Sequence, residues 1–170
     1  MPKGLKETSS LISIGFSVTE TAADTFTQDG IDLQLNPLDN EVFVVYAIDL
    51  DVSAPDAVAG VNTIMLGSLS TTSRTTIGDL SDSNVMASKQ LQIKAAGFVD
   101  GGVGFQTGSN ESPATQLDYL GIIATNDFFV QVQGANNVTA KSMTGRVYGV
   151  RATASSSIYA ALVQSELLTA

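Results

Sequence analysis

Asp49, Asp51 and Asp56 are the residues whose type and spacing come nearest to a chemistry. Asp49 and Asp51 lie two apart and so share one face of any strand that carries them, and Asp56 follows just beyond Pro55. Clustered carboxylates are what a calcium ion takes as ligands, which makes these three the candidates for a Ca²⁺ site. The spacing of a recognised calcium loop is missing, and a solvated strand end is the simpler reading. The same carboxylates could work as acid and base in the manner of a glycosidase, where an apolar pocket keeps one carboxyl protonated. Such pairs recur on many β proteins that catalyse nothing.

The chain has no cysteine and no histidine. That removes disulfides, thiolate metal sites, Ser-His and Cys-His nucleophile pairs and the usual base for neutral pH, so the expectation is a protein that is not an enzyme. Gly101-Gly102-Val103-Gly104 has the look of a phosphate-cradling loop but lacks the Lys-Ser/Thr that would complete one, and no amphipathic helix pattern follows it. Asn110-Glu111-Ser112 and Asn137-Val138-Thr139 match the N-glycosylation pattern, the first of them spoiled by Pro113. Lys141, Arg146 and Arg151 are three of the eight bases, and the last two, five apart, point to opposite faces of one strand. They cannot line one groove, and their expected use is pairing with the acidic first half of a neighbouring copy, a salt-sensitive term in assembly.

The elements that must position these residues are strands, because the dominant pattern along the chain has period two. Ile12, Ile14, Phe16 and Val18 alternate with Ser13, Gly15, Ser17 and Thr19. Ile31, Leu33 and Leu35 alternate as well, with Phe26 on the opposite phase, so a bulge or turn is expected at Asp29-Gly30 and a stop at Pro37. Glu41 to Val52 is the longest candidate, with Val42, Val44, Tyr46, Ile48, Leu50 and Val52 on one face and Phe43, Val45 and Ala47 on the other. Apolar residues on both faces mark it as a central strand. Further strands are expected over 61–69, 89–98, 117–125, 128–133 and 144–153, with a tight connection at Asn126-Asp127. Residues 155–170 fit either a closing strand or a helix with Ile158, Ala161, Leu162, Ser165 and Leu168 as its stripe, and their Ala, Leu, Gln and Glu content favours the helix.

The 170 residues suffice for one packed domain, with residues 1–10 read as a terminal arm. No apolar run reaches the roughly 18 residues of a membrane span. The net charge is −9 and unevenly placed: residues 1–73 hold ten acids against Lys3 and Lys6, and residues 74–170 hold seven acids against six bases. With only those two lysines near its start the chain has no basic arm, so direct binding to nucleic acid is not expected. The absence of Trp speaks against a sugar-stacking platform.

Eight or nine strands with long Ser-, Thr- and Gly-rich loops imply an all-β protein, a two-sheet antiparallel sandwich closed as a jelly roll, with a short C-terminal helix as an option. The strand rhythm from Thr25 to Thr153, the composition of the loops and the small, histidine-free and cysteine-free chain resemble single jelly-roll viral coat proteins. The resemblance implies a shell of many identical copies, with loops at the sandwich ends touching neighbours and arms crossing interfaces. The missing basic arm departs from coats that condense RNA directly, which favours an outer shell, a decoration or spike protein, or a coat over a separately condensed genome. The expected function is therefore a structural subunit of a virion, a homo-oligomer of many copies with other virion proteins as partners. The alternative is a secreted or surface β-sandwich module for adhesion or carbohydrate binding.

Overall fold

The computed structural model describes residues 2–95, 105–108 and 117–170, the segment 105–108 by its backbone. Among these residues ten strands and one α-helix follow in order: β1 (Leu5–Glu7), β2 (Ile12–Thr19), β3 (Thr27–Asp32), β4 (Glu41–Val52), β5 (Thr63–Ser70), β6 (Val85–Lys94), β7 (Phe105–Gly108), β8 (Gly121–Ile123), β9 (Asp127–Ala135), β10 (Ser142–Ala154) and α1 (Ser156–Leu168). In one sheet β1 and β2 lie along the same edge of β10, followed by β4 and β8, and the other sheet runs β3-β9-β5-β6-β7. All pairings are antiparallel, and they nest: β2 with β10, β3 with β9, β4 with β8, β5 with β6. A long hairpin rolled into two facing sheets has this order, so the sandwich is a jelly roll.

Each sheet turns its alternate apolar residues inward. In β2 the pattern is the one expected, with Phe16 and Val18 buried between the sheets and Ser13, Gly15, Ser17 and Thr19 exposed. Phe16 meets Phe128 of the facing sheet edge-on, ring centroids 5.9 Å apart and planes at 74°, the arrangement that aromatic quadrupoles favour.

β4 departs from simple alternation. Tyr148 of β10 pairs with Ala47 and Gly149 with Val45, so Tyr46 has no opposite number and forms a β-bulge. The extra residue reverses the parity of the strand. Before it Phe43 and Val45 enter the core between the sheets while Val42 and Val44 face outward, and after it Ile48, Leu50 and Val52 take the inner face. The outward residues stay dry because α1 covers them: Val42, Val44, Ala124, Val150 and Ala152 form a second core with Leu5, Tyr46, Ile122, Tyr159, Leu162 and Val163. The single face expected for Val42 through Val52 is thus two faces joined at a bulge.

The last segment is the helix, and its buried stripe is Tyr159, Leu162, Val163 and Glu166 rather than one that ends on Leu168, which is exposed. Asp29-Gly30 neither turns nor bulges: β3 pairs with β9 in unbroken register from Thr27 to Asp32. Phe26 lies ahead of the strand and imposes no phase on it, and Asp29 and Gly30 are tolerated because both are exposed on this edge strand although they point to opposite faces. The segment read as an arm adds to the sheet, with Leu5–Glu7 pairing with Ala154–Ala152 and the Thr8 amide donating to the Arg151 carbonyl at 2.9 Å. Among the described residues the strand expected over 117–125 shrinks to Gly121–Ile123, and the one expected over 89–98 begins earlier, at Val85. Residues 96–98 lie outside the described residues.

Candidate functional site

Three carboxylates clamp the β9–β10 connection. Glu20, at the end of β2, accepts the Gly134 amide at 2.6 Å on one oxygen and the Lys141 amide at 2.9 Å on the other, so it ties both ends of that loop. Asp24, in the β2–β3 loop with φ of 61°, accepts the Asn137 amide at 3.0 Å and its side-chain Nδ2 at 3.2 Å. Asp56, in the β4–β5 loop, accepts the amides of Val138 and Thr139 at 2.9 and 3.0 Å and the Thr139 hydroxyl at 2.9 Å, and it pairs with the Lys141 ammonium. Five backbone N–H groups, four of this short loop and one at the end of β9, are thus satisfied by carboxylates from elsewhere in the chain. Such charge-assisted bonds are about twice as strong as neutral ones. The result is a rigid loop tip that holds Val138 out in solvent, 71% exposed.

The electrostatics follow from these contacts. The Lys141 ammonium, with the Thr139 hydroxyl and the two amides, holds the Asp56 carboxyl at about 2 against the pull of partial desolvation. Asn137, which begins the second glycosylation pattern, is buried and gives its Nδ2 to Asp24 and to the Ile64 carbonyl at 3.0 Å, so the folded chain presents no amide there for a sugar. Asn110 and the segment Gly101–Gly104 lie outside the described residues.

A second rigid turn stands between β3 and β4. Asn36 accepts the Leu38 amide at 3.1 Å, Pro37 opens a 3-10 turn, and Arg151 bonds the carbonyls of Leu33 and Gln34 at 2.7 and 3.1 Å and Glu41 at 3.1 Å. The turn lifts Leu38 to 90% exposure.

The calcium candidates are not gathered into one cluster. Asp56 is occupied as described, whereas Asp49 and Asp51 stand on the outer face of β4, where they line an open hollow of about 500 Å³ with Gly15, Thr144, Arg146 and Tyr148. Asp49 lies directly across from Arg146 in the β4–β10 ladder. Among the described residues no group of three or more His, Cys, Asp or Glu side chains is placed to hold a metal ion. The bases expected to reach a neighbouring copy are used within the chain, Lys141 on Asp56 and Arg151 on Glu41. Both acids do belong to the acidic first half, but rolling the hairpin sets them against bases of the second half of the same chain. Of the three, Arg146 is left in the open hollow.

Sequence reasoning missed Glu20, Asp24 and Glu166. Glu166 is a buried carboxylate on α1 that accepts the amides of Ala124 and Thr125 at 2.9 and 3.0 Å and the Thr125 hydroxyl at 3.1 Å. Burial raises its pKa, with Asp127 adding to the effect and the three hydrogen bonds opposing it. It anchors the helix over the β8–β9 connection.

No helix among the described residues is long and apolar enough to cross a membrane. No family model matches the chain, and no curated protein matches it. The solved structure of Desmodium yellow mottle tymovirus is similar at 12% identity, covering 92% of this chain and 96% of that one, with a TM-score of 0.31. The jelly-roll assignment rests on the strand order and not on that likeness.

Proposed function

We propose that this protein is a structural, non-enzymatic subunit that assembles with many copies of itself into a virion shell or virion surface layer, with other virion proteins as further partners. The observation that carries the proposal is the pairing of rigidity with exposed aliphatic side chains at the loop tips: Val138 on a loop fixed by three carboxylates, Leu38 on a turn fixed by Asn36 and Arg151. A loop already held in one conformation loses little entropy when it is covered, so the free energy of burying its apolar tip goes into association. Weak contacts of this kind, repeated around a closed assembly, add through multivalency. The net charge of −9 keeps phosphate at a distance, so the genome is not the partner of this chain.

Light scattering and negative-stain microscopy of the purified protein, at low and high salt, test the reading. Large regular particles are expected under at least one condition. A monomer at every salt concentration would overturn the proposal and turn attention to the hollow around Asp49 and Asp51 as a ligand site.

A further inference from the structure

We infer that two copies of this chain join edge to edge through β2, antiparallel about a two-fold axis at Gly15, into one continuous sheet. The inference deepens the proposed function by naming a contact, and it rests on that reading.

Among the described residues no strand lies on the outer edge of β2. In an antiparallel ladder the residues of a strand alternate between bonding one neighbour and bonding the other. The Glu20 amide donates to the Lys141 carbonyl at 2.8 Å in the same register that pairs Thr19 with Ser142, so the even-numbered residues of β2 bond β10. The N–H and C=O groups of Ser13, Gly15 and Ser17 therefore point away from the sheet, where no strand among the described residues pairs with them.

Proteins blunt such edges with charge, proline, bulges or brevity. Ile12–Thr19 has eight residues, no charge and no proline, and it meets β10 in unbroken register. Among the described residues the other outer strands are guarded: β1 has three residues with Lys6 and Glu7 among them, β3 carries Asp29 and Asp32, β8 has three residues and β7 four. β2 is the long, neutral edge, on a chain whose net charge is −9.

A second copy fits this edge because the strand is its own complement. With Gly15 opposite Gly15 about the axis, Ser13 meets Ser17, Leu11 meets Thr19, and on the inner face Ile14 meets Phe16 and Ile12 meets Val18. Around the axis small residues then face each other on the outside, with Leu11 against Thr19 at the ends, and apolar residues face each other on the inside, where Ile12 and Ile14 are only partly covered within one subunit. Centring on Gly15 also uses the whole length from Leu11 to Thr19. Charged partners gain nothing from a neutral strand, whereas an identical strand satisfies every outward backbone group.

The test uses single cysteines in a chain that has none. Across the axis the two Gly15 Cα atoms come to about 5.5 Å, the spacing of a bonded antiparallel pair, within the roughly 4.4–6.8 Å that a disulfide spans. A Cβ added at Gly15 meets nothing nearer than the Gly145 carbonyl at 4.0 Å, so the substitution is accommodated. Under mild oxidation of the assembled protein, Gly15→Cys is expected to convert to covalent dimer. Ser17→Cys alone is expected to stay uncrosslinked, because its two copies sit about 14 Å apart along the strands. Mixing Ser13→Cys with Ser17→Cys is expected to give the heterodimer. Particles that form while none of these variants cross-links, or Ser17→Cys dimers as abundant as Gly15→Cys dimers, would overturn the β2 contact and leave the assembly reading standing. Cross-linked dimers that never grow into larger particles would uphold the contact and overturn the assembly reading.

Discussion

Replacing Glu20 by glutamine should loosen the β9–β10 connection at both ends at once. The carboxylate is 4% exposed and gives one oxygen to Gly134 N–H and the other to Lys141 N–H. An amide side chain has one acceptor oxygen and one NH₂ donor, so whichever way it turns, one of these buried amides faces a donor. The orphaned N–H costs about 1–3 kcal/mol and the surviving bond loses its charge assistance, about 1 kcal/mol more, for a total near 3 kcal/mol. In a chain of this size that lowers Tm by about 6–12 °C, at 2–4 °C per kcal/mol. Thermal unfolding of Glu20→Gln beside Glu7→Gln, whose side chain is exposed, gives the comparison, since an exposed substitution should stay within about 0.5 kcal/mol. Hydrogen exchange at the Gly134 and Lys141 amides should quicken before the rest of β9 and β10. A loss below about 1 kcal/mol, or exchange unchanged at those two amides, would refute the claim that this carboxylate sets the loop.

Three further outcomes follow from the same contacts. The depressed pKa of Asp56 means that its contribution is complete above the ordinary value of 3.8 and is lost as pH falls through about 2, so urea midpoints of the wild type and Lys141→Met should differ at pH 5 and converge towards pH 2. Glu166 acts in the opposite sense, since a raised pKa lets the folded chain hold its proton longer than the unfolded one, and stability falls as pH rises past the ordinary value of 4.5; Glu166→Gln should flatten that part of the urea-midpoint profile, and a variant profile parallel to wild type would contradict the assignment. Gly149→Ala should destabilise by about 1–3 kcal/mol in denaturant unfolding, because a Cβ there meets the Val44 carbonyl and, at 2.6 Å, the Phe43 ring, neither of which can withdraw from the bulge.

The features legible in the sequence are those that need only local parity. Strands β2, β9 and β10 and the sandwich they build follow from alternation, and the C-terminal helix follows from composition. Parity counting fails where an unpaired residue is inserted, as at Tyr46, because a bulge depends on the partner strand and leaves no mark in the strand that carries it. It fails again at Asp29-Gly30, where turn-forming residues sit, both exposed, inside an edge strand. The clamp was out of reach for a different reason: Glu20 finds its partners more than a hundred positions away, and a loop carboxylate looks the same whether it caps a distant amide or faces water. The match at Asn137-Val138-Thr139 did fall on the loop that matters, although the buried asparagine there serves structure.

The rolled hairpin also reverses the expected effect of salt on assembly. The acids of the first half and the bases of the second would link neighbouring copies if they met between subunits, and salt would then dissolve the assembly. Here they meet inside one subunit, at Lys141–Asp56 and Arg151–Glu41, and each such pair cancels equal charge. The full −9 is left for copies to present to one another. Repulsion of that size reaches about 10 Å at 0.1 M salt and about 3 Å at 1 M, while the contacts argued above, the β2 edge and the aliphatic loop tips, carry no charge of their own. Raising salt should therefore promote association, with the scattering mass at fixed protein concentration climbing between about 0.1 and 1 M salt. Particles that form at low salt and fall apart at high salt would mean that ion pairs between copies, Arg146 first among them, hold the assembly together.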